Sequence, residues 1–172
     1  MKHGGHVPVV SVVGKSGVGK TTALERIIRE IKRRGYKVGT VKHDTHGFEV
    51  DKPGKDSWRH AQAGSDSVVI AGPRRMALVR QLDEEMSLDD IITLMGDLDL
   101  VITEGYKRGE KPKIEITRQE RGTELLCQPE ELIGIMADYA VDMPVPQFSL
   151  EDAAGLVDLL EDLYLRDSEQ DE

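Results

Sequence analysis

Between the apolar run Val9-Val10-Ser11-Val12-Val13 and a stretch of helical periodicity lies the segment Gly14-Lys15-Ser16-Gly17-Val18-Gly19-Lys20-Thr21. The order strand, glycine-rich loop, helix commits this end of the 172-residue chain to a βα unit, and no other feature restricts the fold as strongly. The helix is expected to open at Thr21, because Leu24, Ile27, Ile28 and Ile31 recur at i, i+3, i+4 and i+7 and form one apolar stripe against a sheet. Gly35 then suits a left-handed C-terminal cap.

The loop fills every fixed position of G-x-x-x-x-G-K-[ST]. Glycines allow successive backbone N–H groups to face one anion, and the helix N-terminus adds roughly half a positive charge. In that setting Lys20 reaches the β and γ phosphates, and the Thr21 hydroxyl ligates Mg²⁺. The expected ligand is a nucleoside triphosphate with Mg²⁺, bound by Gly14, Lys15, Ser16, Gly17, Val18, Gly19, Lys20, Thr21 and Thr22.

Further strands are expected at 38–41, 98–103, 113–117 (alternating, half-exposed) and 132–137, with a hairpin from Ser67 to Leu82 around Gly72-Pro73-Arg74-Arg75. Asp56-Ser57 and Ser87 are read as caps of short helices, and Ser149 as the cap of a last amphipathic helix on Ala153, Leu156, Leu160 and Leu163. Strands alternating with helices predict an α/β fold of the P-loop NTPase kind: an open, mostly parallel sheet flanked by helices, with an antiparallel hairpin extension.

Ligands of such sheets gather at the carboxyl ends of the strands. Glu104 ends the 98–103 run and is preferred over Asp99 as the second Mg²⁺-orienting group, which makes Lys20, Thr21 and Glu104 the catalytic candidates. Asp44 is a further metal candidate, acting through water. Lys42, His43 and His46 cluster after the second strand as candidate substrate or partner contacts; phosphate-facing or surface roles are favoured, with transition-metal binding by the two histidines as the minority alternative. Asp51, Lys52 and Lys55 form either a turn with its helix cap or a contact for substrate or partner, and Arg74 and Arg75 are either solubilising charges or a partner contact. Lys15 stands where some dimeric P-loop proteins place a lysine across their subunit boundary, although Ser16 replaces the usual glycine.

A formal net charge of −9 lacks the broad basic footprint of a nucleic-acid or anionic-membrane binder. The single cysteine, Cys127, cannot form an internal disulfide, and no signal peptide or long apolar span is visible, so a cytoplasmic setting is expected. Cys127 is read as a small filler or a surface thiol. One domain is expected over 7–165, between a flexible leader (1–6) and an acidic flexible tail (166–172).

The Gly14 to Thr22 loop, Val41-Lys42-His43, Val50-Asp51-Lys52-Pro53-Gly54-Lys55-Asp56-Ser57, Arg75-Met76-Ala77-Leu78 and Glu104-Gly105-Tyr106-Lys107 together resemble the MobB family of molybdopterin-guanine dinucleotide biosynthesis adapter proteins. The resemblance spans about residues 8–165. It implies a homodimeric GTP-binding adapter with weak GTPase activity in molybdenum cofactor assembly. The implied partner is the molybdopterin guanylyltransferase, with molybdopterin itself as a further candidate contact.

Guanine preference follows from the resemblance alone, since no Asn-Lys-x-Asp run occurs. Asp138, after the 132–137 strand, is placed either to accept from a guanine edge or to cap its loop. Two other classes remain in view: an ATP-dependent small-molecule kinase, and a dimeric ATP switch of the partition or nitrogenase-like kind suggested by Lys15.

Overall fold

The first strand, β1 (Val9–Val13), is buried along its whole length, as a β-branched run inside a parallel sheet requires. The computed structural model describes residues 6–166; the expected leader and tail lie outside the described residues apart from His6 and Arg166. The further elements are α1 (Lys20–Arg33), β2 (Val38–Lys42), α2 (Asp56–Gln62), β3 (Ser67–Gly72), β4 (Arg75–Arg80) and α3 (Leu88–Thr93). They are followed by β5 (Leu100–Glu104), β6 (Lys113–Thr117), β7 (Leu132–Ala137), β8 (Gln147–Ser149) and α4 (Ala153–Leu160). Two units divide the chain: the segments up to His43 and from Met95 onward form one, and Asp44–Leu94 the other.

The first unit is a parallel sheet of order β2-β5-β1-β6-β7-β8. Val10, Val12, Leu100, Ile102, Ile114, Ile116 and Met136 line one face and pack with Ile27 and Ile31 of α1 and Leu156 and Leu160 of α4. The two helices are also tied by charge: the Arg34 guanidinium donates to Glu30, Asp158 and Glu161. Hydrogen bonds from Arg33 and Arg34 hold the Glu30 carboxyl down to about 2. On the opposite face Val13, Cys127, Leu132, Ile135 and Ala137 form a smaller cluster against Leu125, Tyr139, Val141, Met143 and Val145. Cys127 is thus a buried filler.

Several local expectations change. The first helix begins at Lys20, one residue early, because Gly19 adopts the left-handed conformation (φ 91°) and serves as its N-cap. Instead of half-exposed alternation, β6 has all five residues buried. Its polar side chains are all partnered there: Lys113 Nζ donates to Gly109 O and Glu131, Glu115 accepts the Leu126 and Cys127 N–H groups, and Thr117 bonds Tyr139.

The edge strand β8 escaped the sequence pattern because it is three residues long and follows Pro146. An edge position tolerates that proline, whose carbonyl accepts the Ile135 N–H. Ser149 therefore ends β8, and Asp152 caps α4 by accepting the Gly155 N–H.

The second unit is built differently. The expected antiparallel hairpin is present beside the parallel sheet: β3 and β4 pair from Ser67↔Arg80 to Gly72↔Arg75 as a two-stranded sheet. Ser87 caps α3 as expected, by accepting the Asp90 N–H. Asp56 and Ser57 are the first residues of α2, with Lys55 at the N-cap. A pocket of about 170 Å³ lies among Phe48, Trp58, Ala61, Val68, Val79 and Gln81.

Candidate functional site

The chain reverses direction across the sheet at β1: β2 and β5 lie on one side of it, β6 to β8 on the other. Crevices at such switch points, outside the carboxyl ends of the strands, are where open α/β sheets bind ligands. The loop that leaves β1 there is pressed onto β6. A Cβ at Gly14 (φ 153°) would stand 2.3 Å from the Ile116 carbonyl oxygen, so only glycine fits. Val18 is buried in the core and anchors the middle of the loop.

Lys20 Nζ donates to the carbonyls of Gly14 (3.0 Å) and Lys15 (2.8 Å), which holds the ammonium within the loop. Partial burial lowers its pKa; Glu104 opposes that shift, and Lys107 and Lys42 add to it. Thr21 Oγ1 lies 3.3 Å from Glu104 Oε1 and donates to it, so two of the three metal candidates meet although they are 83 positions apart. A hydroxyl and a carboxylate beside the loop are hard oxygen donors of the kind that would fit Mg²⁺. Among the described residues no group of three or more His, Cys, Asp or Glu is placed to hold a metal. Asp99 precedes β5 and accepts the Lys37 N–H at 2.7 Å.

Lys42 ends β2 in register with Glu104, and His43 donates its N–H to the Glu104 carbonyl while its ring stacks on Tyr106 with centroids 4.6 Å apart. Lys15 Nζ donates to the Arg121 carbonyl (3.4 Å) within the same chain, and Ser16 and Thr22 are exposed. Asp44, His46, Asp51, Lys52, Lys55, Arg74 and Arg75 belong to the second unit. There the Asp44 carboxylate accepts the His46 N–H, Asp51 accepts the Lys52 N–H, and the two arginines sit exposed at the hairpin turn.

A strap absent from the sequence reading crosses the loop on the β6 side. Arg118, directly after β6, donates Nε–H to the Val18 carbonyl at 2.9 Å, and the guanidinium of Arg121 lies against Gly17. Asp138, directly after β7, accepts the Gln119 N–H at 2.9 Å and faces Arg118 at 3.8 Å. Its carboxylate is therefore engaged in holding the strap. The rule that selected Glu104, a polar group at the carboxyl end of a strand, also selects Arg118 once β6 is known to adjoin β1.

A family model described as MobB, molybdopterin guanine dinucleotide synthesis protein B, matches residues 9–138. The molybdopterin-guanine dinucleotide biosynthesis adapter protein of Haemophilus influenzae is 34% identical over 157 residues, which cover 90% of this chain and 88% of that protein. The protein of the same name from Escherichia coli K12 is 34% identical over 164 residues, covering 90% and 91%. The crystal structure of Bacillus subtilis MobB, 28% identical, matches with a TM-score of 0.72 over 91% of this chain and 98% of that one.

Proposed function

The chain belongs to the MobB family, and from that premise we propose that it is a Mg²⁺-dependent GTP-binding adapter of molybdopterin-guanine dinucleotide biosynthesis, assisting the guanylyltransferase that joins GMP to molybdopterin. The observation that carries the nucleotide part is the loop locked onto β6 by Gly14, with Thr21 and Glu104 in contact at its mouth. The loop amides and Lys20 bind and orient the phosphates, and Thr21 and Glu104 supply the metal-facing oxygens. When bound, Mg²⁺ neutralises charge on the β and γ phosphate oxygens. Turnover is slow, because the loop supplies binding groups rather than a side chain dedicated to positioning the attacking water.

The adapter acts as a homodimer in the cytoplasm. Support for self-association comes from the hairpin, where Val69, Ala71, Met76 and Leu78 share one exposed face. No helix of the described residues is long and apolar enough to cross a membrane.

Titration calorimetry with GTP and ATP, with and without Mg²⁺ and then with the guanylyltransferase, tests the reading. The expected result is Mg²⁺-dependent GTP preference, weakened about 100-fold or more by Lys20→Ala. ATP preference with phosphate transfer to a metabolite would instead establish the kinase reading.

A further inference from the structure

A phosphate loop works only if its peptide N–H groups point inward, and each peptide unit has its C=O and N–H on opposite sides. The unit joining Val18 to Gly19 has its carbonyl turned out to Arg118 Nε. Its N–H, that of Gly19, therefore points away from Arg118 Nε and has no backbone acceptor among the described residues. The guanidinium runs alongside Gly19, where a Cβ would stand 3.6 Å from Nη2.

Arg118 is itself held. Thr117 and Ala137 are paired in register, so Arg118 and Asp138 occupy equivalent positions just beyond adjacent strands. The two oxygens of Asp138 divide between the Gln119 N–H and the Arg118 guanidinium. At its far end the same connection is fastened by Glu115, which is wholly buried and accepts the N–H groups of Leu126 and Cys127.

The geometry points to Arg118 as a positioning residue that fixes the Val18–Gly19 peptide for the incoming phosphates, with Asp138 holding Arg118 in place rather than reading the base. This rests on the triphosphate reading above. It differs from a base-reading role in one respect: the effect passes through the loop amides, so it is blind to the base.

The test compares the full chain with Arg118→Met, which keeps the aliphatic stem, Arg118→Lys, which keeps a donor, and Asp138→Asn. Binding of Mg²⁺ complexes of GTP, ATP and inorganic tripolyphosphate is measured together with the ¹³C resonance of the Val18 carbonyl. Arg118→Met is expected to weaken all three ligands by a common factor of about tenfold and to shift the Val18 carbonyl resonance. Arg118→Lys recovers part of both, and Asp138→Asn produces a smaller loss of the same pattern.

A loss confined to GTP, with tripolyphosphate unaffected, overturns the proposal in favour of direct base contact. An unshifted Val18 resonance in a folded Arg118→Met protein also overturns it. If the wild type binds none of the three ligands, the triphosphate reading falls, while the carbonyl resonance still decides whether Arg118 braces the loop.

Discussion

The parallel sheet and the β3–β4 hairpin use similar residues to opposite effect. Val10, Val12, Leu100, Ile102, Ile114 and Ile135 of the sheet are wholly buried, whereas Val69 is 56% and Met76 70% exposed on the hairpin. Among the described residues of the second unit, Val68 is the single buried apolar side chain. A two-stranded ribbon cannot enclose its own faces, while a six-stranded parallel sheet can be covered on both. The difference teaches where precision is available. The loop, Thr21, Glu104 and Arg118 hang from the well-buried unit, and the second unit leaves apolar surface exposed.

The largest effect that would test this contrast is Ile27→Ala in the first unit. Ile27 is wholly buried between α1 and the sheet, so urea unfolding is expected to lose about 4 kcal/mol. A loss under about 1 kcal/mol would mean that the sheet unit is as loosely packed as the hairpin.

Next in size is Glu115→Gln. The amide keeps one acceptor oxygen and turns its NH₂ toward a backbone N–H, at a cost of about 2 kcal/mol in unfolding free energy. Burial, followed by the neighbouring Glu115 charge, pushes the Cys127 thiol up to about 12. Loosening the loop should therefore make Cys127 react with a thiol reagent that leaves the wild type untouched, and continued protection would show the loop to be held by other contacts.

A smaller effect is the pH dependence of the α1–α4 tie. Glu30 is held at about 2 against an ordinary 4.5, so its folded form binds its proton less readily than the unfolded chain does. The stabilisation is complete above the ordinary value and disappears as pH falls toward about 2. The stability difference between wild type and Arg34→Met should shrink across that window. A difference independent of pH would assign the effect of Arg34 to packing alone.

The smallest expected change is that of Met76→Ser, less than about 0.5 kcal/mol in dilute protein. A larger loss that grows with protein concentration would show that the hairpin face is covered in a homodimer, and the contrast between the two units would then hold only for the single chain.

The elements legible in advance were those written over short separations. Loop, α1 and the hairpin follow from glycine positions, a 3.6-residue stripe and a turn, each contained within a few residues. The place of Glu104 at the end of β5 was legible because its strand is a plain apolar run. The face of β6 was not, since Lys-Ile-Glu-Ile-Thr alternates like a half-exposed strand until Glu131 and the Leu126 and Cys127 amides are known to close over it.

By itself, then, the sequence determined that a phosphate loop joins a buried strand to an amphipathic helix, because backbone freedom and side-chain periodicity are local properties. Only the tertiary structure decided who surrounds that loop. Arg118 meets Val18 across 100 positions, and Asp138 meets the strap through the pairing of β6 with β7. Strand order sets such neighbours, and strand order is chosen by the packing of the whole sheet rather than by any segment of it.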